Sequence, residues 1–266
     1  MSESASDPQF FDSQVETLED LGRKGLRMIQ RRDGFRFGED TVLLAYFCAI
    51  VTPYLKNGGK ALELGAGSGA AALLLSARRP DLYIDGIEVD AAAYDVFSRN
   101  IELNRLEDRI RPIAGDIRKF PDSVLVKKAA YDLVFLNPPY RRPERGLMTR
   151  TEAGNESLLN ARFEMLGGIK DFMKTACEAL RPGGTIALVH RAVRLPEVLQ
   201  AASSAGAEPR VLKMIHPSHE SEATAFLLSA RKGGKQGGFV VEAPLILRKT
   251  GNEMTSEMIK VYSDEE

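Results

Sequence analysis

Lys60-Ala61-Leu62-Glu63-Leu64-Gly65-Ala66-Gly67-Ser68-Gly69, running straight into Ala70-Ala71-Ala72-Leu73-Leu74-Leu75-Ser76-Ala77-Arg78, is the stretch whose reading decides the fold. A short apolar run closed by glycines reads as a buried strand, and the alanine- and leucine-rich run after it reads as a helix. The glycines between them make a turn in which missing side chains let a ligand approach the backbone at a helix start. Strand, glycine turn, helix is the repeating unit of a doubly wound α/β sheet. The next strand, Leu82–Val89, carries Glu88 near its end. An acid about 20 residues past such a loop can accept both ribose hydroxyls of a nucleotide-like ligand. Gly65, Gly67 and Ala70 also satisfy the G-x-G-x-x-G/A dinucleotide pattern, so these residues alone leave the cofactor open. A structural glycine turn beside a solvent-facing acid is the plain alternative.

Further along, Ala91–Asn104 has helical apolar spacing, and Ile110–Ile113 is a strand that ends at Gly115-Asp116. Asp116 is placed to accept from a cofactor's adenine amine, or merely to cap the following turn. The apolar run Tyr131–Leu136 then closes on Asn137-Pro138-Pro139-Tyr140. Proline fixes φ and lacks an N–H, so a buried central strand stops abruptly there. At the carboxyl end of a strand this leaves a polar amide and an aromatic ring, where open α/β sheets bind ligands. The Asn137 side-chain oxygen and the Pro138 carbonyl are acceptors without a competing donor on the proline. Two acceptors converging on one spot suit a planar –NH2 group, and Tyr140 suits stacking on a ring attached to it. Activation of an amide or aromatic amine as a nucleophile is the chemistry implied. A strand-ending turn with Asn137 capping backbone groups is the alternative.

The alternation continues with a polar loop from Arg141 to Asn160, long enough to be a substrate lid, and a helix over Ala161–Leu180. Arg162 and Glu164 open that helix, where they could position substrate or form a surface ion pair. Strands follow at Thr185–His190, Pro209–Ile215 and Ala223–Ala230, with a helix at Leu195–Ser204 between the first two. His190, His216 and His219 show no ligand spacing, and Cys48 and Cys177 lie far apart in helical-looking segments. No metal site is expected.

Upstream, Leu26–Gln30 and Gly34–Phe37 resemble two short strands joined at Arg31-Arg32-Asp33-Gly34, since Asp-Gly is a hairpin signal. A helix is predicted over Asp40–Ile50, and residues 1–24 read as a mobile arm. Residues 25–266 then read as one domain, with the hairpin and helix at 25–55 and a C-terminal extension at 232–266. In that extension Lys232–Gly238 is a flexible turn and Phe239–Leu247 is extended edge structure.

The 266 residues carry 36 Lys and Arg against 37 Asp and Glu, a net charge of −1 that excludes a uniformly basic surface. The charge is nevertheless clustered. Arg23, Lys24, Arg27, Arg31, Arg32 and Arg36 share one short stretch, and Arg141, Arg142, Arg145 and Arg150 follow the proline turn. Both groups could face a phosphate backbone, or simply be solvated. The start of the chain lacks the basic patch and apolar core of a signal peptide, and no run is long enough for a membrane span, which predicts a cytoplasmic protein.

From Lys60 to about Ala230 the chain resembles the Rossmann-like, class I S-adenosylmethionine-dependent methyltransferases, in which Asn-Pro-Pro-Tyr marks methylation of exocyclic or amide nitrogen. The resemblance implies S-adenosyl-L-methionine as cofactor, held by Glu63, Gly65, Gly67, Gly69, Glu88 and Asp116. It implies an α/β fold with a seven-stranded, mostly parallel sheet, helices on both faces and one antiparallel strand. More narrowly, Gln30-Arg31-Arg32-Asp33-Gly34-Phe35-Arg36-Phe37-Gly38-Glu39-Asp40-Thr41-Val42-Leu43-Leu44, Asn137–Tyr140, Ala161-Arg162-Phe163-Glu164 and the glycine-rich ending are similar to bacterial tRNA N6-adenine methyltransferases acting beside the anticodon of a valine tRNA. That likeness implies catalytic roles for Asn137, Pro138 and Tyr140. It implies tRNA contacts by Arg31, Arg32, Arg36, Arg141, Arg142, Arg162 and Glu164. Phe35 replaces the tyrosine often found there, and Ala225-Phe226 lacks an arginine that often precedes the last strand. A glutamine-methylating enzyme of release factors shares the tetrapeptide but usually carries a helical N-terminal domain, and a DNA adenine methyltransferase would add a base-recognition domain. A non-catalytic RNA-binding protein on the same scaffold is the reading from another class.

Overall fold

The apolar runs form a central sheet whose strands bury both faces. The structure is a computed structural model and describes residues 10–34, 36–55, 58–122, 126–139 and 168–263. After a two-stranded hairpin, β1 (Glu16–Asp20) and β2 (Arg27–Arg31), come α1 (Glu39–Val51), β3 (Lys60–Leu64), α2 (Ala70–Arg78), β4 (Tyr83–Glu88), α3 (Ala91–Leu103) and β5 (Ile110–Ala114). The second half contains β6 (Tyr131–Leu136), α4 (Ile169–Ala179), β7 (Leu180–Arg191), α5 (Leu195–Ser204), β8 (Ala207–His216) and β9 (Ala225–Lys232). It closes with β10 (Val240–Val241), β11 (Leu245–Ile246) and α6 (Ser256–Tyr262). No helix among the described residues is long and apolar enough to cross a membrane.

The sheet order is β5-β4-β3-β6-β7-β9-β8, with β9 antiparallel to both neighbours and the other pairings parallel. These are the seven strands read from the sequence. The two short strands β10 and β11 add to them along β8, both parallel to it. The chain runs outward from β3 through β4 to β5, then crosses back to lay β6 on the other side of β3. That reversal is the topological switch point, where α/β sheets open a crevice at their carboxyl edge. Leu64 pairs with Leu136 across it, so the glycine turn and Asn137 leave the sheet side by side.

Side chains alternate between two cores. Ala61, Leu133, Phe135, Ala187 and Val189 pack with α1, α2 and α3 on one face; Leu62, Leu64, Val134, Leu136, Ile186 and Leu188 pack with α4 and α5 on the other. The period of two explains why these strands read as continuous apolar runs. Continued past the strand ends, the same parity puts Asn137 and Arg191 on the face that carries α1.

Three expectations need correction. The hairpin is built from Glu16–Asp20 and Arg27–Arg31, so one strand lies inside the stretch expected to be a mobile arm. Its turn uses Gly22, Lys24 and Gly25, with φ of 62°, 47° and 69°, whereas Gly34 does not take the positive φ that a two-residue Asp-Gly hairpin needs. β2 also has a second partner. Asn100 Oδ1 accepts from Ile29 N–H at 2.6 Å and its Nδ2 donates to Ile29 O at 3.1 Å, while Asn104 does the same for Arg27 at 2.9 and 2.7 Å. Two asparagines one helical turn apart thus replace a missing strand. Second, β7 begins directly after α4, and the Pro182-Gly183-Gly184 break is absorbed as a register shift against β6. Third, the extension contains α6, which the sequence reading missed. Met258 and Val261 are buried beneath it, Thr255 Oγ1 caps it, and Arg23 donates to the carbonyls of Val261 and Ser263 at 3.0 and 2.8 Å. A guanidinium at a helix carboxyl end suits the dipole, and it makes Arg23 a buried clasp rather than a phosphate ligand.

Candidate active site

A cleft of about 660 Å³ opens at the switch point. Glu63, Gly65, Gly67, Glu88, Asp116, Asn137, Pro138, Arg31 and Arg36 all line it, although they come from five separate stretches of chain.

The glycine turn forms its floor. Gly65, Gly67 and Gly69 have φ of 70°, 55° and 86°, the left-handed region that other residues avoid. Their surroundings differ. A Cβ on Gly67 would meet nothing within 4 Å, whereas one on Gly69 would lie 2.0 Å from the Phe97 ring and one on Gly86 2.5 Å from the same ring. Phe97 is therefore wedged between the loop and β4, and Gly67 is left with open space beside it. Glu88 locks the loop from the other side. Its Oε2 accepts from Gly67 N–H at 2.7 Å, and its Oε1 from Val89 and Asp90 N–H at 2.9 and 2.8 Å. Oε1 carries two donors already, so Oε2 is the oxygen with lone-pair capacity for a further hydroxyl. Burial raises the Glu88 pKa against those N–H bonds.

Glu63 is buried beneath the loop, with Oε2 accepting from Ala72 N–H at 3.1 Å in the first turn of α2. Burial pushes its carboxyl well above the usual carboxylate range, and the Glu88 charge adds to this. Asp116 closes the far end. Its carboxylate holds the Arg118 guanidinium at 2.6 to 3.0 Å and the Arg118 N–H at 2.9 Å, and this pairing lowers its pKa. An amine arriving there would share occupied acceptors.

Asn137 is half-buried opposite the glycine turn. Its Nδ2 donates to Thr41 Oγ1 at 3.4 Å, from the first turn of α1, 96 residues away in sequence. That contact turns the amide so that Oδ1 points away from Thr41. Pro138 is buried beside it. Tyr140, Arg141, Arg142, Arg162 and Glu164, with the expected lid, lie outside the described residues. Of the upstream arginines, Arg31 pairs with Asp33, Arg36 with Glu19 and Thr17, and Arg32 donates to Ser13 O. Two residues at the rim carry no signal in the sequence reading: Arg191, whose guanidinium has no hydrogen-bond or ion-pair partner among the described residues, and Val193. Arg191 is the last residue of β7, and Val193 lies two residues beyond it. Among the described residues no cluster of three or more His, Cys, Asp and Glu could hold a metal.

Solved structures share this architecture. A predicted O-methyltransferase from Agrobacterium tumefaciens superposes with a TM-score of 0.66 at 23% identity, covering 85% of this chain and 96% of the other. TYW2 of Pyrococcus horikoshii, in complex with MeSAdo, gives 0.55 at 16% identity, covering 84% and 74%. At these identities the likeness concerns the fold. In sequence, a tRNA1(Val) (adenine(37)-N6)-methyltransferase of Pectobacterium carotovorum is 31% identical over 179 residues, 61% of this chain and 66% of that protein. The enzyme of the same name from Yersinia pestis is 34% identical over 113 residues, 42% of each. The matched stretches thus span less than two thirds of these relatives. The model of the methyltransferase small domain family matches residues 45–204, from within α1 to the last residue of α5, and the chain belongs to that family.

Proposed function

We propose that the protein transfers a methyl group from S-adenosyl-L-methionine to the exocyclic N6 amine of an adenosine in tRNA, in the anticodon-loop region of a valine tRNA. The observation that carries the reading is the junction of β3 and β6: one strand ends in the glycine turn, its neighbour in Asn137-Pro138, and both line one cleft. The relatives named above support the choice of adenine and of tRNA.

The residues present fit the cofactor. The open side of Gly67 leaves room for close approach to the backbone, Glu88 Oε2 retains capacity for a ribose hydroxyl, and Gly65 and Asp116 complete the wall, while Gly69, turned against Phe97, shapes the turn without lining the cleft. When bound, the cofactor supplies an electrophilic methyl on a cationic sulfur. Everything else falls to the chain. Asn137 Oδ1 and the Pro138 carbonyl accept the two amine hydrogens, which orients the nitrogen lone pair toward the transfer direction, and Tyr140 stacks on the base. Holding a neutral nucleophile in line does most of the catalytic work, so no strong base need act before attack. The target base must leave its stack, and a single-stranded loop makes that easiest. Arg31, Arg32, Arg36, Arg141, Arg142, Arg162 and Glu164 remain the proposed tRNA contacts.

The test is transfer of labelled methyl from S-adenosylmethionine to unmodified tRNA, with release factor offered in parallel. Label is expected as N6-methyladenosine, and Asn137→Ala should lower the rate by about 10²-fold or more, the scale of removing one positioned polar contact from a transition state. Label on protein glutamine instead would overturn the substrate.

A further inference from the structure

We propose that Arg191 and Val193, at and just beyond the carboxyl end of β7, form a substrate lip in which Arg191 takes an RNA phosphate next to the target nucleotide and Val193 packs on the extruded base or its neighbour. The inference rests on the RNA reading above and names the part of the cleft that would meet the RNA backbone.

Strand register places the lip. Leu136 pairs with Leu188, and β7 continues through Arg191 whereas β6 stops at Leu136. Arg191 therefore stands about 7 Å farther along the strand direction than Asn137 and about 5 Å to the side. Ala187, Val189 and Arg191 share a parity, and the first two pack into the core that also holds Leu133 and Phe135. Arg191 and Asn137 thus leave the sheet on the same face, and both line the cleft.

The lip is also held in place. Arg191 N–H donates to His190 Nδ1 at 2.8 Å, Ala192 N–H donates to Thr224 O at 3.0 Å, and Arg191 is paired with Ala225 of β9. Its charges are sorted. Arg194 is turned aside into a 2.7 Å pair with Glu197, and Arg31 and Arg36 must each give up a carboxylate to take a phosphate. Arg191 needs no such exchange. Val193, at 85% exposure, is the most exposed large apolar side chain among the described residues, and it sits on the rim of the cleft rather than on a remote surface. A cation carried on a fixed backbone beside an apolar knob is the chemistry that recognises a phosphate and an unstacked base together, since flipped bases are held between apolar or aromatic side chains.

The test compares wild type with Arg191→Ala, Arg191→Lys and Val193→Ala, measuring S-adenosylmethionine affinity, affinity for an unmodified valine tRNA transcript across salt concentrations, and kcat and KM separately. Arg191→Ala is expected to weaken tRNA binding about tenfold at low salt and to flatten the salt dependence by about one phosphate contact, with cofactor affinity unchanged. Arg191→Lys should restore the salt dependence. Val193→Ala should leave it alone and lower kcat/KM about threefold. If Arg191→Ala binds tRNA with the wild-type affinity and salt slope while wild type methylates tRNA, the lip is wrong and the function stands. If wild type binds cofactor but neither binds nor methylates tRNA, both proposals fall.

Discussion

The two walls of the cleft are held by different means. On one, residues 63–70 and 86–90 are tied by backbone N–H groups to two buried carboxylates and wedged by a single ring, Phe97. On the other, residues 36–41, 137–139 and 191–193 meet through side chains from distant stretches, linked by a 3.4 Å contact between Asn137 and Thr41. The first wall has no slack, because each of its parts also completes a core or a helix start. The second is assembled from side chains of separate stretches, with Thr41 and Pro138 buried and Arg191 and Val193 exposed. Asn100 ties the first wall to the hairpin, bonding Ile29 and Ser68 O of the glycine turn.

The sharpest way to break this contrast is Gly69→Ala. A Cβ there meets Phe97 at 2.0 Å on a backbone with φ of 86°, and the combined overpacking and strain should destabilise by about 3 kcal/mol or more. Gly67→Ala, with equal chemistry but open space, should cost only about 1 kcal/mol in thermal unfolding while weakening cofactor binding. Equal losses at the two positions would mean that Phe97 does not wedge the loop.

Two buried groups, one in the first wall and one beside the second, should also respond oppositely to pH. Burial, with Arg194 and Arg191 adding to it, lowers the His190 pKa to about 4. Between about 6.5 and 4 the unfolded chain binds a proton that the folded chain refuses, so stability is intact above that window and falls by up to about 3 kcal/mol on crossing it downward. Denaturant titrations of His190→Phe should lack that slope. Glu63 behaves in the reverse sense. Its raised pKa lets the folded chain keep a proton that the unfolded chain gives up above the usual carboxylate range, so its contribution is lost as pH rises. Glu63→Gln keeps an acceptor for Ala72 N–H and should raise the melting temperature at pH 8 but not at pH 4. A variant no more stable at pH 8 would show that the carboxylate ionises in place.

The smallest effect expected is at Thr41. Thr41→Val removes the acceptor that turns the Asn137 amide and should lower kcat about threefold to tenfold with cofactor affinity unchanged, whereas Thr41→Ser should retain the rate. A shift in cofactor affinity instead would assign Thr41 to the first wall.

Legibility in the sequence follows the same division. The glycine turn, Glu88 and the Pro-Pro strand end could be read directly, because strand, turn and helix there are set by neighbours along the chain. Gly86 could not, since its meaning is a ring eleven positions further on that enters from α3. Asp33-Gly34 looked like the hairpin turn, yet Gly22 and Gly25 make it, and Asn100 and Asn104, one turn apart on α3, satisfy the edge that a strand would otherwise cover. Arg191 and Val193 gave no signal at all, because a strand that outruns its neighbour by three residues is visible only once the register is known.

By itself, then, the sequence determined the alternating architecture and the cleft-lining ends of β3, β4 and β6, since apolar periodicity, glycine and proline act over a few residues. Tertiary structure alone decided which side of β3 receives β6, and so which loops face each other. It decided that Arg23 is a clasp while Arg191 stands at the rim, and that Asn137 is turned by Thr41. The reason is physical: strand order, parity and burial are properties of contacts between segments, and no local pattern encodes the partner a side chain meets 96 residues away.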